Sequence, residues 1–291
     1  MDKDSKKLNA FEVFGKRAKN YHFEYDGQDI AKIYPEHKFR LNIVLETLKQ
    51  IQPNKILDVG CGSGEPLREF LSNGFDAYGF DYSEEMVAQA KKTLSIAGFG
   101  PDRVSRNNME CLTELKQSPF DAIVALGSLY YSRNINKTIC DLSNNLPIGG
   151  HFIFSLRNEL FSLFSQNRYS LEFMMSKLIP TKKLSEGLKE RLKIFYGQRF
   201  NEGSMPRKFD TVDDLNIFSE YHNPLTVEKE ILMPHGMKLV NIYYYHYHAL
   251  PPFFEHTDTV EFRELSINLE DPKDWRGMFM CSAFVVHAEK I

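Results

Sequence analysis

The 291-residue chain is poor in the features that would place it in a special class. It has four cysteines, Cys61, Cys111, Cys140 and Cys281, which form neither a disulfide framework nor a C-x-x-C metal pattern. A reducing, cytoplasmic setting is therefore expected. No apolar run approaches the roughly 20 residues that span a bilayer. Residues 1–10 are polar, with no apolar stretch behind them, so neither membrane association nor a secretion signal is expected. Formal net charge is −3, too small an excess to point to nucleic acid or anionic membrane. There is no internal repeat and no low-complexity tract.

What remains is an ordinary globular composition, 42% hydrophobic and 26% charged, long enough for a large α/β core. The near-neutral total hides an uneven spread. Residues 157–210 hold 11 basic and 6 acidic side chains, whereas residues 211–291 hold 6 and 13. The middle block is basic and the tail acidic.

Leu41, Val44, Leu45 and Leu48 recur at helical spacing, and a strand of β-branched and apolar residues follows at 55–59. A glycine-rich turn, Gly60-Cys-Gly-Ser-Gly64, closes that strand. Pro66 near a first turn, with Leu67, Phe70 and Leu71 on one face, reads as a helix that stops at Gly74. A short strand ends at Asp81. Ser83 is a candidate N-cap, and Glu84 and Glu85 suit the positive end of the next helix. Weaker strand character covers 103–106, and the continuous apolar run 121–126 fits a parallel strand buried on both faces. A helix near 135–146 and a strand at 151–156 complete a β-α-β-α alternation, which predicts a doubly wound parallel sheet. Residues 159–196 then keep helical periodicity, broken only by Pro180. Strand character returns at 239–248 and 279–287, separated by an irregular acidic stretch.

Glycines between a strand and a helix admit positive φ and let a ligand approach where a Cβ would collide. The helix N-terminus offers unpaired amides to a polar group. A dinucleotide fingerprint, G-x-G-x-x-G, would need glycine at 65, where this chain has Glu65. The spacing present is G-x-G-x-G, with Asp58 two residues ahead.

On Leu57-Asp-Val-Gly-Cys-Gly-Ser-Gly64 and Phe80-Asp-Tyr-Ser83, with Asp81 lying 23 positions after Asp58, the chain resembles the class I S-adenosylmethionine-dependent methyltransferases. The resemblance covers residues 55–156 well and the segment after them hardly at all. It implies a Rossmann-like α/β fold, a seven-stranded doubly wound sheet with six strands parallel and the last antiparallel, and S-adenosyl-L-methionine as cofactor. It implies that Asp81 accepts both ribose hydroxyls, a task suited to the two oxygens of a carboxylate. Gly60, Cys61, Gly62 and Gly64 would pack against the methionine part, Asp58 would meet its ammonium, and Leu126 would line the same side. Asn108 stands where the family usually has an acidic residue for the adenine amino group, and Tyr82 and Met109 would flank the ring. Arg40 is a candidate for the cofactor carboxylate. Segments 155–164 and 248–253 are similar to bacterial methyltransferases of surface-glycan and small-molecule pathways.

The expected organisation is an N-terminal helical cap at 1–54, a cofactor-binding core at 55–158, a helical lid or substrate insertion at 159–225, and C-terminal strands at 226–291 that complete the sheet. The expected reaction is SN2 methyl transfer to a small molecule, an O-methylation of an anionic or sugar-like acceptor such as a nucleotide-linked sugar. In a strand Tyr244, His246 and His248 share one face, and His246 and His248 are the candidate bases for a hydroxyl acceptor. No third ligand accompanies them, so a metal is not expected. Tyr130, Arg157 and Asn158 are candidate acceptor-binding residues, Arg157 as a bidentate clamp for an anion. The readings held against this one are N-methylation, a protein or nucleic-acid acceptor, a cofactor-binding regulator without chemistry, and a nicotinamide oxidoreductase.

Overall fold

The computed structural model describes residues 10–18, 21, 25, 29–112, 115, 118–199 and 217–291. The expected lid's segment 200–216, with its basic residues Arg207 and Lys208, lies outside the described residues.

Helix α1 (Ala10–Arg17) and helix α2 (Glu36–Ile51) precede the sheet. Strand β1 (Lys55–Val59) leads through the glycine turn into α3 (Glu65–Ser72). Then follow β2 (Asp76–Asp81), α4 (Glu84–Ile96), β3 (Val104–Arg106), β4 (Ala122–Ala125), α5 (Ile135–Ser143) and β5 (His151–Asn158). After β5 the helical periodicity is realised in pieces: α6 (Ser162–Ser165), α7 (Arg168–Phe173), a π turn at Met174–Leu178 and α8 (Glu186–Arg199). Asn167 closes a capping box that starts α7, and α8 buries none of its residues.

Strands β7 (Met237–Tyr247) and β8 (Cys281–Lys290) form the far side, and β6 is a two-residue strand, Tyr221–His222. The stretch between β7 and β8 is helical in part: α9 (Phe253–Thr257), α10 (Thr259–Ile267) and α11 (Gly277–Met280). The sheet order is β3-β2-β1-β4-β5-β8-β7, with β6 added beside the end of β5. Strands β1 to β5 pair in parallel, while β8 runs antiparallel to both β5 and β7 and so lies between them. The sheet therefore has eight strands rather than seven, the extra one being the short β6.

Alternation along β1 divides the core. Leu57 and Val59 join one apolar layer with Phe152, Phe154 and Tyr244. Ile56 joins the other, with Leu41, Val44, Leu45 and Leu48 of α2 and with Tyr243 and Tyr245. Asp58 shares the Ile56 face, the face that α2 covers. The chain reverses direction across the sheet between β1 and β4, and that switch point opens a crevice beyond the strands' C-terminal ends, where open α/β sheets bind ligands.

Candidate active site

The crevice is a cleft of ≈ 310 Å³. The glycine turn forms its base. Gly60 sits at φ +70, and a Cβ there would lie 2.7 Å from Ser128 Cβ, so side chains are excluded by both conformation and space. The amides of Gly60 and Cys61 both donate to the carbonyl of Phe80, at 2.9 and 3.0 Å, which ties the turn to the end of β2. Gly62 donates to Asp81 Oδ2 at 3.0 Å and Ser83 to Asp81 Oδ1 at 2.9 Å. Each oxygen of Asp81 thus keeps acceptor capacity, and burial pushes its carboxyl up. Gly64 is different: it does not line the cleft, and at φ +88 it abuts Ala90 of α4. Its expected cofactor contact is replaced by close helix packing.

Asp58 lines the cleft at the end of β1 and is 1% exposed. Its Oδ2 has no hydrogen-bond partner among the described residues. Burial, then the nearby Asp81, pushes its carboxyl up to about 7, against the opposing pull of Arg40. Arg40 is itself buried, but the structure sets it behind the cleft wall rather than in it. Its Nη1 would meet a Cβ on Gly127 at 2.7 Å, and Gly127 is the residue that faces the cleft. Nη2 is held by His37 Nδ1 at 2.8 Å and Tyr25 Oη at 3.4 Å, while Nε is buried with no partner among the described residues.

Tyr82, Met109, Asn108 and Leu126 line the cleft as their positions in the sequence lead one to expect. Tyr82 is 39% exposed, at the rim. Asn108 Oδ1 accepts from the amide of Glu110 at 2.9 Å, which orients the side chain and leaves one lone pair for a ligand.

The cleft is also lined by Phe14, Tyr21, Tyr131, Arg133 and Phe218. Arg133 lies over the Phe218 ring at 5.0 Å, and its amide donates to Glu110 Oε1 at 2.5 Å. Arg157 is one layer behind. Its guanidinium lies 5.1, 5.9 and 5.8 Å from the rings of Tyr130, Tyr131 and Tyr221, and Nη1 donates to Tyr221 Oη at 3.4 Å. Its charge thus faces tyrosines rather than a carboxylate among the described residues. Tyr130, expected to touch the acceptor, packs on Tyr131 instead, and it is Tyr131 that reaches the cleft.

Residues 34–200 match the methyltransferase domain family. The chain belongs to that family. An uncharacterized protein of Haemophilus influenzae is 32% identical over 143 residues, 45% of this chain and 56% of that protein. The chain thus spans little more than half of this relative's length. Ubiquinone biosynthesis O-methyltransferase of Vibrio atlanticus is 24% identical over 200 residues, covering 68% of this chain and 79% of the relative. In fold, the chain is similar to magnesium protoporphyrin IX methyltransferase from Synechocystis PCC 6803 with bound SAH, at a TM-score of 0.56 and 15% identity, over 97% of this chain and 98% of that one.

The methyltransferase domain's own residues suit S-adenosylmethionine. A buried carboxylate with an orphaned oxygen, a glycine cradle that a Cβ would fill, and a second carboxylate with spare acceptor capacity all open onto one cleft. Three further residues expected at the methyltransferase site are placed elsewhere. Asn158 is wholly buried and satisfied: it donates to the carbonyls of Met278 and Cys281, at 2.9 and 2.8 Å, and accepts from Leu160 at 3.0 Å. It ties β5 to α11 and β8, and with both amide donors used and no exposed surface it is out of an acceptor's reach.

Neither histidine lines the methyltransferase cleft. His246 adopts φ +61, which breaks the alternation of β7 and returns Tyr247, not His246, to the layer of Tyr244. The His246 ring bonds Glu36 at 2.6 Å; burial disfavours its charge, but Glu36 outweighs burial and raises the imidazole above its usual range. His248 is 5% exposed, packed against Phe161 and Phe262, with Nδ1 on the carbonyl of His246. Burial, then His246, pushes it down to about 3. Conversely Tyr131, Arg133 and Glu110 line the methyltransferase cleft without having stood out in the sequence. Tyr131 was one position from the residue singled out, and the 3-10 turn Leu129–Tyr131 decides which of the pair faces in.

Proposed function

We propose that the protein is an S-adenosylmethionine-dependent methyltransferase that methylates an oxygen of a small anionic acceptor. The observation that carries this reading is the pair of carboxylates at adjacent strand ends, buried Asp58 and half-buried Asp81, both lining the cleft beside the glycine turn. When bound, S-adenosylmethionine supplies an electrophilic methyl group on a sulfonium that carries its own leaving group. Asp58 would hold the ammonium, Arg40 would supply positive charge toward the carboxylate from behind Gly127, and Asp81 would accept the ribose hydroxyls. The protein's further tasks are to orient the acceptor and exclude water.

Arg133 supports an anionic acceptor, because it lines the cleft and a guanidinium suits bidentate binding of a carboxylate or phosphate. Arg157 reinforces that field through Tyr131. With His246 and His248 away from the cleft, an acceptor oxygen that is already anionic, and so needs no proton removed, fits the site better than a sugar hydroxyl. The names of relatives support transfer to oxygen: one is ubiquinone biosynthesis O-methyltransferase, another malonyl-[acyl-carrier protein] O-methyltransferase of Buchnera aphidicola, 31% identical over 152 residues, 52% of this chain and 55% of that protein.

A thermal-shift comparison tests the cofactor. S-adenosylhomocysteine should raise Tm while NAD and NADP leave it unchanged; a shift with a dinucleotide alone would overturn the reading. For the acceptor, turnover should be seen with carboxylated or phosphorylated compounds and not with their neutral analogues. Arg133→Ala should then raise the acceptor KM by about tenfold, the worth of one charge-assisted contact, with the affinity for S-adenosylhomocysteine unchanged. An unchanged KM would remove Arg133 from the acceptor site.

A further inference from the structure

A polar chain runs from the end of β7 to the wall of the cleft, and its hydrogen-bond directions can be worked out. A guanidinium has donors only, so the 2.8 Å contact between Arg40 Nη2 and His37 Nδ1 requires Nδ1 to be the acceptor. The proton of neutral His37 is then on Nε2, and Nε2 faces Glu36 Oε1 at 3.6 Å. The other oxygen of Glu36 holds His246 Nδ1 at 2.6 Å. Burial raises the carboxyl of Glu36, but His246 outweighs it and keeps the group well below the usual range, so Glu36 is an anion. His246 is fixed in turn. Its ring stacks on Tyr34 at 4.9 Å and 23°, and the Tyr34 hydroxyl donates to Glu270 Oε1 at 2.6 Å. Glu270 also takes the amide of Tyr247, at 2.9 Å. The rings of Tyr25 and Tyr21 flank His37 at 4.9 and 6.0 Å.

This arrangement explains why His246 accepts a left-handed backbone, which disfavours a residue with a Cβ. The turn aims its ring at the first residue of α2, the helix that carries Arg40. We propose that His37 is a positioning residue for the cofactor site: in its Nε2–H form, with the Glu36 anion that His246 holds beside it, it fixes the Arg40 guanidinium behind Gly127. A second proton on His37 would remove the only acceptor its ring offers Arg40 and set cation against cation. The inference rests on the reading of the cleft as an S-adenosylmethionine site with Arg40 at its methionine end.

Two measurements test it. Asparagine places its side-chain oxygen close to where Nδ1 stands, whereas alanine offers no acceptor. By calorimetric titration with S-adenosylhomocysteine, His37→Ala should bind about tenfold more weakly than the wild type, and His37→Asn within about threefold of it. A role in packing alone would leave both variants equally impaired, and an alanine variant that binds like the wild type would also overturn the proposal. The second measurement needs neither a variant nor a ligand. The ring nitrogen signals of His37 in the wild-type protein at pH 7.5 should report an unprotonated Nδ1 and a protonated Nε2; the opposite tautomer would overturn the proposal. A wild-type protein that fails to bind S-adenosylhomocysteine would refute the cofactor reading, and the tautomer measurement would still decide the contact between His37 and Arg40.

Discussion

Asp81→Ala should lower the affinity for S-adenosylhomocysteine by about a hundredfold, the largest loss expected from any single substitution in the cleft. Two hydrogen bonds to a charged acceptor are each worth about 1.5–3 kcal/mol where a buried partner would otherwise be left unpaired. The carboxylate has a second task, since it takes the amides of Gly62 and Ser83 and so joins the glycine turn to the start of α4. Alanine leaves both amides without that acceptor, so part of the loss would come from a loosened turn and would appear as a lower Tm without ligand. Asp81→Asn separates the two tasks. Its single oxygen can keep one amide, and its amino group donates where the ribose also donates, so the variant should fold with a Tm near that of the wild type and still bind at least tenfold more weakly. Calorimetric titration beside thermal unfolding reads both quantities. Wild-type affinity in Asp81→Asn would show that the carboxylate serves the turn alone.

The contrast between Asp81 and Asn158 shows what a linear sequence reveals. Both stand at the C-terminal end of a parallel strand, where ligands are expected. The meaning of Asp81 is local: it follows the glycine turn at a fixed interval and its amide partners are near neighbours. That of Asn158 depends on Met278 and Cys281, 120 and 123 residues away, which meet it only because β8 lies antiparallel beside β5. The same holds for the histidines. Strict alternation along β7 would put His246 and His248 on one face, yet a single left-handed residue shifts the phase, and no glycine marks the place. The stabilising partner, Glu36, comes from the opposite end of the chain. The β-α-β-α core was legible because strand and helix periods, caps and turns are each encoded over a few residues. The remaining wall of the cleft was not, because Phe14, the pair Tyr131 and Arg133, and Phe218 come from three separate segments with no shared motif.

Binding of S-adenosylhomocysteine should strengthen as pH rises from 6 to 8, and Asp58 should be the reason. Burial, with Asp81 adding to it, holds the free carboxyl at about 7, so near neutrality a substantial fraction is protonated and unable to pair with the ligand's ammonium. Below that pH the ligand must displace a proton, and log K should climb by close to one per pH unit; above it the profile should flatten. Asp58→Asn should bind about tenfold or more weakly at pH 8 and lose the slope. Stability without ligand carries the opposite sign. The folded carboxyl is raised above its unfolded value of about 3.9, so the native state binds the extra proton between the two values. Its contribution to stability is present at low pH and is lost as pH rises through that window toward 7. Asparagine does not ionise and avoids the loss. The Tm of Asp58→Asn relative to wild type should therefore rise as pH goes from 5 to 8, while its ligand affinity relative to wild type falls. A Tm difference from wild type that stays constant from pH 5 to 8, or a wild-type affinity that is flat across pH 6 to 8, would mean that Asp58 does not titrate in that range in the free protein. The opposition of the two trends follows from one fact: the cleft keeps a carboxylate in a place that favours its neutral form until a cation arrives.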